Sequence, residues 1–120
     1  MASEGFHEPS ELLTARTKDM HRAVVSLIEE LEAIDWYQQR VDAAGDEELR
    51  AILAHNRDEE KEHAVMVLEW IRRQDSVLDE QLRKHLFTSG SITAREEAGD
   101  SGAAVSAITV KIGSLRGAGQ

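Results

Sequence analysis

Residues 52–71 read ILAHNRDEEKEHAVMVLEWI, and this run decides the fold. Leu49, Ile52, Leu53, Asn56, Glu60, His63, Val67, Trp70 and Ile71 recur at three- and four-residue steps, which is the period of one helix face. The stripe is apolar at both ends and polar in the middle. Asn56, Glu60 and His63 occupy seam positions that Leu or Ile normally fill. A carboxylate on a buried seam is costly unless it is paired or bound to a cation. Glu60 and His63 are three residues apart, an E-x-x-H that puts a carboxylate and an imidazole on one face.

Upstream, Met20, Val24, Leu27, Leu31 and Ile34 form a second helical stripe, with Glu30 between Leu27 and Ile34. Gly45-Asp46 breaks the pattern between the two stripes. Glu30 lies fifteen residues before Gly45 and Glu60 fifteen after it. In an antiparallel hairpin the two carboxylates are therefore level, roughly 22 Å from the turn at about 1.5 Å per residue. Two carboxylates and one imidazole are half of a di-iron carboxylate site, which takes a Glu from each of two helices and an E-x-x-H from each of two more. Two copies must meet to complete it. The same residues also suit a solvated acidic face over Asp58–Glu62, or a charged seam that only sets dimer register.

The chain has 120 residues, 31% charged and 4% aromatic, which suits long helices with narrow seams in one small domain. Two helices alone bury little, so oligomerisation is expected. The absence of cysteine excludes disulfides, thiolate metal sites and a Cys nucleophile. Neither a signal pattern nor a membrane-length apolar run occurs, so a cytoplasmic protein without a membrane partner is expected. Net charge is −9, all of it in residues 1–88. Such an acidic body disfavours nucleic acid and is compatible with attracting cations.

Four segments are expected: a flexible leader 1–8, a helical domain 9–88, a flexible linker 89–107 and an apolar terminal peptide 108–120. Pro9 and Ser10 supply helix-start chemistry. The first helix should run to about Ala44 and the second to Asp75-Ser76. A shorter amphipathic piece with Val77, Leu78, Leu82, Leu86 and Phe87 should stop at Ser89-Gly90. Six of the eight glycines lie from Gly90 onward. The fold class is thus all-α: an antiparallel two-helix hairpin plus a short C-terminal helix, dimerising into a four-helix bundle, with a disordered tail. His7, His21, His55 and His85 lack convergent partners at ligand spacing and read as surface or interface residues.

Three strings carry a resemblance. They are residues 28–37, IEELEAIDWY; residues 52–64, ILAHNRDEEKEHA; and residues 68–73, LEWIRR, followed by Leu86-Phe87-Thr88. Together they resemble the encapsulated ferritins, two-helix members of the ferritin-like superfamily, over most of residues 7–88. The resemblance implies a ferroxidase with iron bound by Glu30, Glu60 and His63 of each chain at a two-fold dimer interface. It implies metal uptake along Glu29 and Glu32, a gating role for Trp36, and Tyr37 beside the centre. It also implies a ring-shaped decamer that oxidises iron but cannot store mineral alone. Val110, Ile112, Gly113, Ser114, Leu115 and Arg116 look like the cargo peptide that binds the inner wall of an encapsulin nanocompartment. Gly117 departs from the pattern, standing where a second basic residue is common.

Two rival readings follow from the same residues. One is a non-enzymatic helical adaptor whose polar seam fixes register. The other is a metal buffer, or another di-metal oxidase on the same scaffold.

Overall fold

The computed structural model describes residues 5–101, and within them the protein is all-α. A single 3-10 turn, Ser10–Leu12, precedes α1 (Ala15–Ala43), α2 (Glu47–Gln74), α3 (Ser76–His85) and α4 (Ile92–Ser101). The chain divides into two compact units, with the boundary between Asp75 and Ser76.

In the first unit α1 and α2 pack along their length as a hairpin. The first helix starts later than Pro9-Ser10 suggests. Ser10 makes no cap, and the Thr14 hydroxyl instead accepts from the Thr17 amide at 3.0 Å, with Thr14 extended at ψ 160°. Both residues are chemically able to cap, and the 3-10 turn uses up the earlier one. The hairpin break falls at residues 44–46, where it is expected. Asp46 makes it: its carboxylate accepts from the Leu49 amide at 2.8 Å, and Glu47 and Glu48 follow in the first turn, where the helix dipole favours them. The Arg50 guanidinium donates to the Ala44 carbonyl in the turn at 2.6 Å.

Across the hairpin the Arg57 guanidinium donates to Gln38 Oε1 at 2.8 Å and grips Asp58 at 2.9 Å. At the open end the Arg16 guanidinium donates to the Gln74 carbonyl. Arg72 and Arg73 both bond Glu69, at 2.7 Å each, placing positive charge on the last turn of α2. Only Ala64 and Ile71 are buried among the described residues, while Val24, Leu31, Leu49, Ile52, Val65, Met66 and Trp70 remain exposed. A seam this narrow leaves much apolar surface uncovered, as the composition implies.

The second unit joins α3 to α4. The third helix ends with Phe87 at φ 58°, a left-handed position where glycine is usual, and the Thr88 hydroxyl donates to the His85 carbonyl at 2.7 Å. Phe87 is fully exposed rather than part of an apolar face. Residues 92–101, within the stretch read as linker, form α4, begun by Ser91 accepting from the Ala94 amide at 3.2 Å. Residues 5–8 are described as bends without helix, and Phe6 sets its ring edge-on to His21 at 4.9 Å. The peptide 108–120, with its six expected contact residues, lies outside the described residues.

Candidate metal centre

The centre is built at mid-helix. Glu30 projects from the middle of α1, and Glu60 and His63 project from the middle of α2 at the same height. Equal arm lengths about the turn bring them level, and the Gln38–Arg57 bridge fixes α2 against α1 one turn away from Glu60. His63 Nδ1 stands 3.2 Å from Glu60 Oε1 and 3.5 Å from Glu30 Oε2. One ligating atom from each of the three residues lies within 4.8 Å of the others. A divalent ion bonded to all three at about 2.0–2.2 Å fits that spacing.

Electrostatics agree with a role in binding a cation. Glu30 Oε2 is shielded from solvent and accepts no hydrogen bond, so one lone-pair site of a half-buried carboxylate is unsatisfied. Burial pushes the Glu30 carboxyl above its ordinary value, the neighbouring Glu60 carboxylate adds to the rise, and His63 opposes it. Burial and a like charge disfavour the ionised carboxylate, and a bound cation offsets both. The set of two carboxylates and an imidazole suits iron, manganese or zinc. Glu30 and Glu60 are about three-quarters covered, whereas the His63 side chain is 49% exposed, so the centre opens on the His63 side.

The other candidate residues stand apart. Glu29 is exposed and Glu32 half-buried, and neither joins the three-residue cluster. Trp36 is half-exposed, and Tyr37 carries the Arg40 guanidinium over its ring at 5.2 Å. His55 meets Glu59 one turn along α2, an exposed pair at 3.5 Å. The sequence reading missed the Gln38–Arg57 clamp. Its signal was faint: an Arg three turns from the hairpin break, on a polar stretch otherwise read as solvated.

A hairpin that offers two carboxylates and an imidazole at mid-height defines a ferritin-type carboxylate protein in half-bundle form. The chain belongs to the EncFtn-like family, whose profile matches residues 5–89. It is 55% identical over 127 residues to the encapsulated ferritin-like protein of Rhodospirillum rubrum, covering 97% of this chain and 91% of that protein. A ferritin-like protein of Thermotoga maritima is 53% identical over 79% of this chain and 83% of its own. The crystal structure of protein ne0167 from Nitrosomonas europaea matches with TM-score 0.71 and 61% identity, covering 73% of this chain and 97% of that one. The encapsulin nanocompartment cargo protein EncC of Myxococcus xanthus is 41% identical over 72% of this chain and 76% of its own.

Proposed function

We propose that the protein is a ferroxidase whose substrate, Fe(II), binds between two copies of the chain. The observation that carries this reading is the solvent-shielded Glu30 Oε2, which accepts no hydrogen bond and is held beside Glu60 and His63. One chain offers three ligands, too few for a pair of irons, and its centre is open on one side. A second copy related by a two-fold axis supplies the other Glu30, Glu60 and His63 and closes the site. In this reading Glu60 bridges the two ions, with Glu30 and His63 completing the shell of each. Glu29 and Glu32 form the acidic approach, Trp36 limits access, and Tyr37 lies on the rim of the interface.

Two Fe(II) ions give up one electron each, and dioxygen takes both electrons with two protons to leave two Fe(III) and one hydrogen peroxide. The chain's own contribution is electrostatic. Carboxylates favour the harder ferric product, and a bound cation offsets the burial and like charge that disfavour ionised Glu30. Product must leave for turnover, so the paired site keeps an opening to solvent.

The assembly we propose is a dimer repeated in an open, ring-shaped decamer, which has no closed cavity for mineral. Storage then falls to a shell. Residues 89–107 act as a tether, and Val110, Ile112, Gly113, Ser114, Leu115 and Arg116 dock on an encapsulin wall, which places the protein in the cytoplasm inside a nanocompartment. Likeness to an encapsulated ferritin-like protein and to an encapsulin cargo protein supports this part. Among the described residues no helix is long and apolar enough to cross a membrane. Aerobic Fe(II) oxidation by wild type, Glu30→Ala and buffer tests the activity. Oxidation no faster than buffer, with assembly indifferent to metal, would leave a structural adaptor.

A further inference from the structure

Glu30 on α1 meets Glu60 and His63 on α2 only at one axial register of the two helices. Apolar packing sets register weakly, because it is non-directional. The buried residues of α2, Ala64 and Ile71, both lie beyond Glu60, toward the open end. Among the described residues 47–59, between the turn and the centre, none is buried. Even toward the open end the packing is one-sided. There α1 and α2 leave a groove of about 370 Å³, lined by Ala23, Ser26, Met66, Val67 and Trp70.

A directional contact crosses the thinly packed stretch. Arg57 Nη1 donates to Gln38 Oε1 at 2.8 Å, and both ends of this bond are held in advance. Arg57 Nε and Nη2 donate to the Asp58 carboxylate at 2.9 and 3.3 Å, and Lys61 reaches the same carboxylate at 3.2 Å. On α1, Gln38 Nε2 donates to Asp42 at 3.0 Å. The Arg57 side chain is only 19% exposed, a setting in which a charge-assisted bond outweighs its counterpart in open water.

The bond runs obliquely. Gln38 lies seven residues before Gly45 and Arg57 twelve after it, an axial offset of five residues or about 7.5 Å. An oblique strut resists sliding as well as separation, whereas a level one resists separation alone. Its α2 end lies three residues from Glu60, about 4.5 Å along the axis. The Arg16 bond to the Gln74 carbonyl, by contrast, lies fourteen residues from Glu30 and from Glu60.

We infer that Arg57 is the positioning residue of the metal centre, setting through Gln38 the register at which Glu30 meets Glu60 and His63. The inference rests on the metal-binding part of the ferroxidase reading and not on turnover. A lysine does not serve here. Its single nitrogen cannot lie against Asp58 and also reach Gln38 across the offset, whereas the planar guanidinium fork does both. Span rather than charge is what the position requires.

Cobalt(II) added to the full-length protein reports the centre through its affinity and its visible absorption band. Arg57→Met and Gln38→Ala should each weaken cobalt binding about 10-fold or more and alter the band, as loss of a group that orients a metal ligand does. Arg57→Lys should be impaired alike, although it keeps the charge. Gln38→Glu should recover most of the affinity lost in Gln38→Ala, since its carboxylate accepts the same guanidinium. The double variant Arg57→Met/Gln38→Ala should bind no more weakly than either single one, because all three break one contact. Asp46→Ala loosens the start of α2 without touching the strut, and it should leave affinity and band unchanged. Cobalt binding by Arg57→Met within about two-fold of wild type, or Asp46→Ala as impaired as Arg57→Met, overturns the inference. Wild-type Fe(II) oxidation measured alongside separates the two readings. Oxidation with cobalt binding indifferent to Arg57 sinks the positioning role alone, and Arg57-dependent cobalt binding without oxidation sinks the ferroxidase alone. Wild type that binds no cobalt overturns both.

Discussion

Glu30 Oε2 and His63 Nδ1, on different helices of the hairpin, stand 3.5 Å apart, and the oxygen has no hydrogen bond of its own. That pairing joins the two helices at the centre and leaves a lone pair facing the space a cation fills. Removing the oxygen atoms should therefore remove the chemistry. Glu30→Ala is expected to slow Fe(II) oxidation more than about 100-fold, since even the loss of a group supporting a metal ligand costs about 10–100-fold. Ultraviolet absorbance of ferric product follows it. Full activity in the variant would refute the ligand assignment.

Acidity at Glu30 sets a second expectation. Its carboxyl is raised above 4.5, chiefly by burial. The stability it contributes is fully present below about pH 4.5 and is lost as pH rises through the raised folded value. Glu30→Gln cannot ionise, so the metal-free variant should melt higher than metal-free wild type at pH 7, and the two should converge below pH 4. Added divalent cation should reverse the order at pH 7, because it stabilises only the ionised carboxylate. Melting curves with and without metal decide this.

Acid should act oppositely at Glu69. Hydrogen bonds from Arg72, and then Arg73, hold its carboxyl down to about 2. The stability it contributes is present above pH 4.5 and is lost as pH falls toward about 2. Glu69→Gln should flatten this part of the acid-unfolding profile. An unchanged profile would mean that the pair is a solvated contact without weight.

Caps give a test of the hairpin itself. Asp46 and Thr14 each satisfy an amide of the first turn, of α2 and α1 respectively. Replacing either with Ala should cost about 1 kcal/mol and lower Tm by a few degrees. Ser10→Ala should cost nothing measurable, because Ser10 caps no helix.

Shell capture isolates the tail. With an encapsulin co-expressed, wild type should co-purify with the shell, whereas Val110→Ala/Ile112→Ala/Leu115→Ala should stay outside while still oxidising Fe(II) in solution. Equal loading of both would remove the docking role from these three residues.

The hairpin and its centre were legible because each rests on a local rule. An apolar stripe at helical period, a Gly-Asp break and equal arm lengths place Glu30 and Glu60 level without any knowledge of packing. Other features depend on competition or rotation. Ser10 and Thr14 are equivalent as caps until the chain's path selects one. The α4 sequence has no apolar stripe, so its helix rests on Ser91 and backbone bonds that composition does not announce. The Gln38–Arg57 bridge and the groove under Met66 and Trp70 depend on how the helices are rotated about their axes, which a one-dimensional pattern leaves open.

The hairpin is clasped at both ends, by Arg50 on the Ala44 carbonyl and by Arg16 on the Gln74 carbonyl. Helices open from their ends, so the turns that carry Glu30, Glu60 and His63 are the last to lose their amide protection to exchange. The three side chains of the cluster therefore sit in the slowest-opening part of the hairpin, and a single copy holds them level.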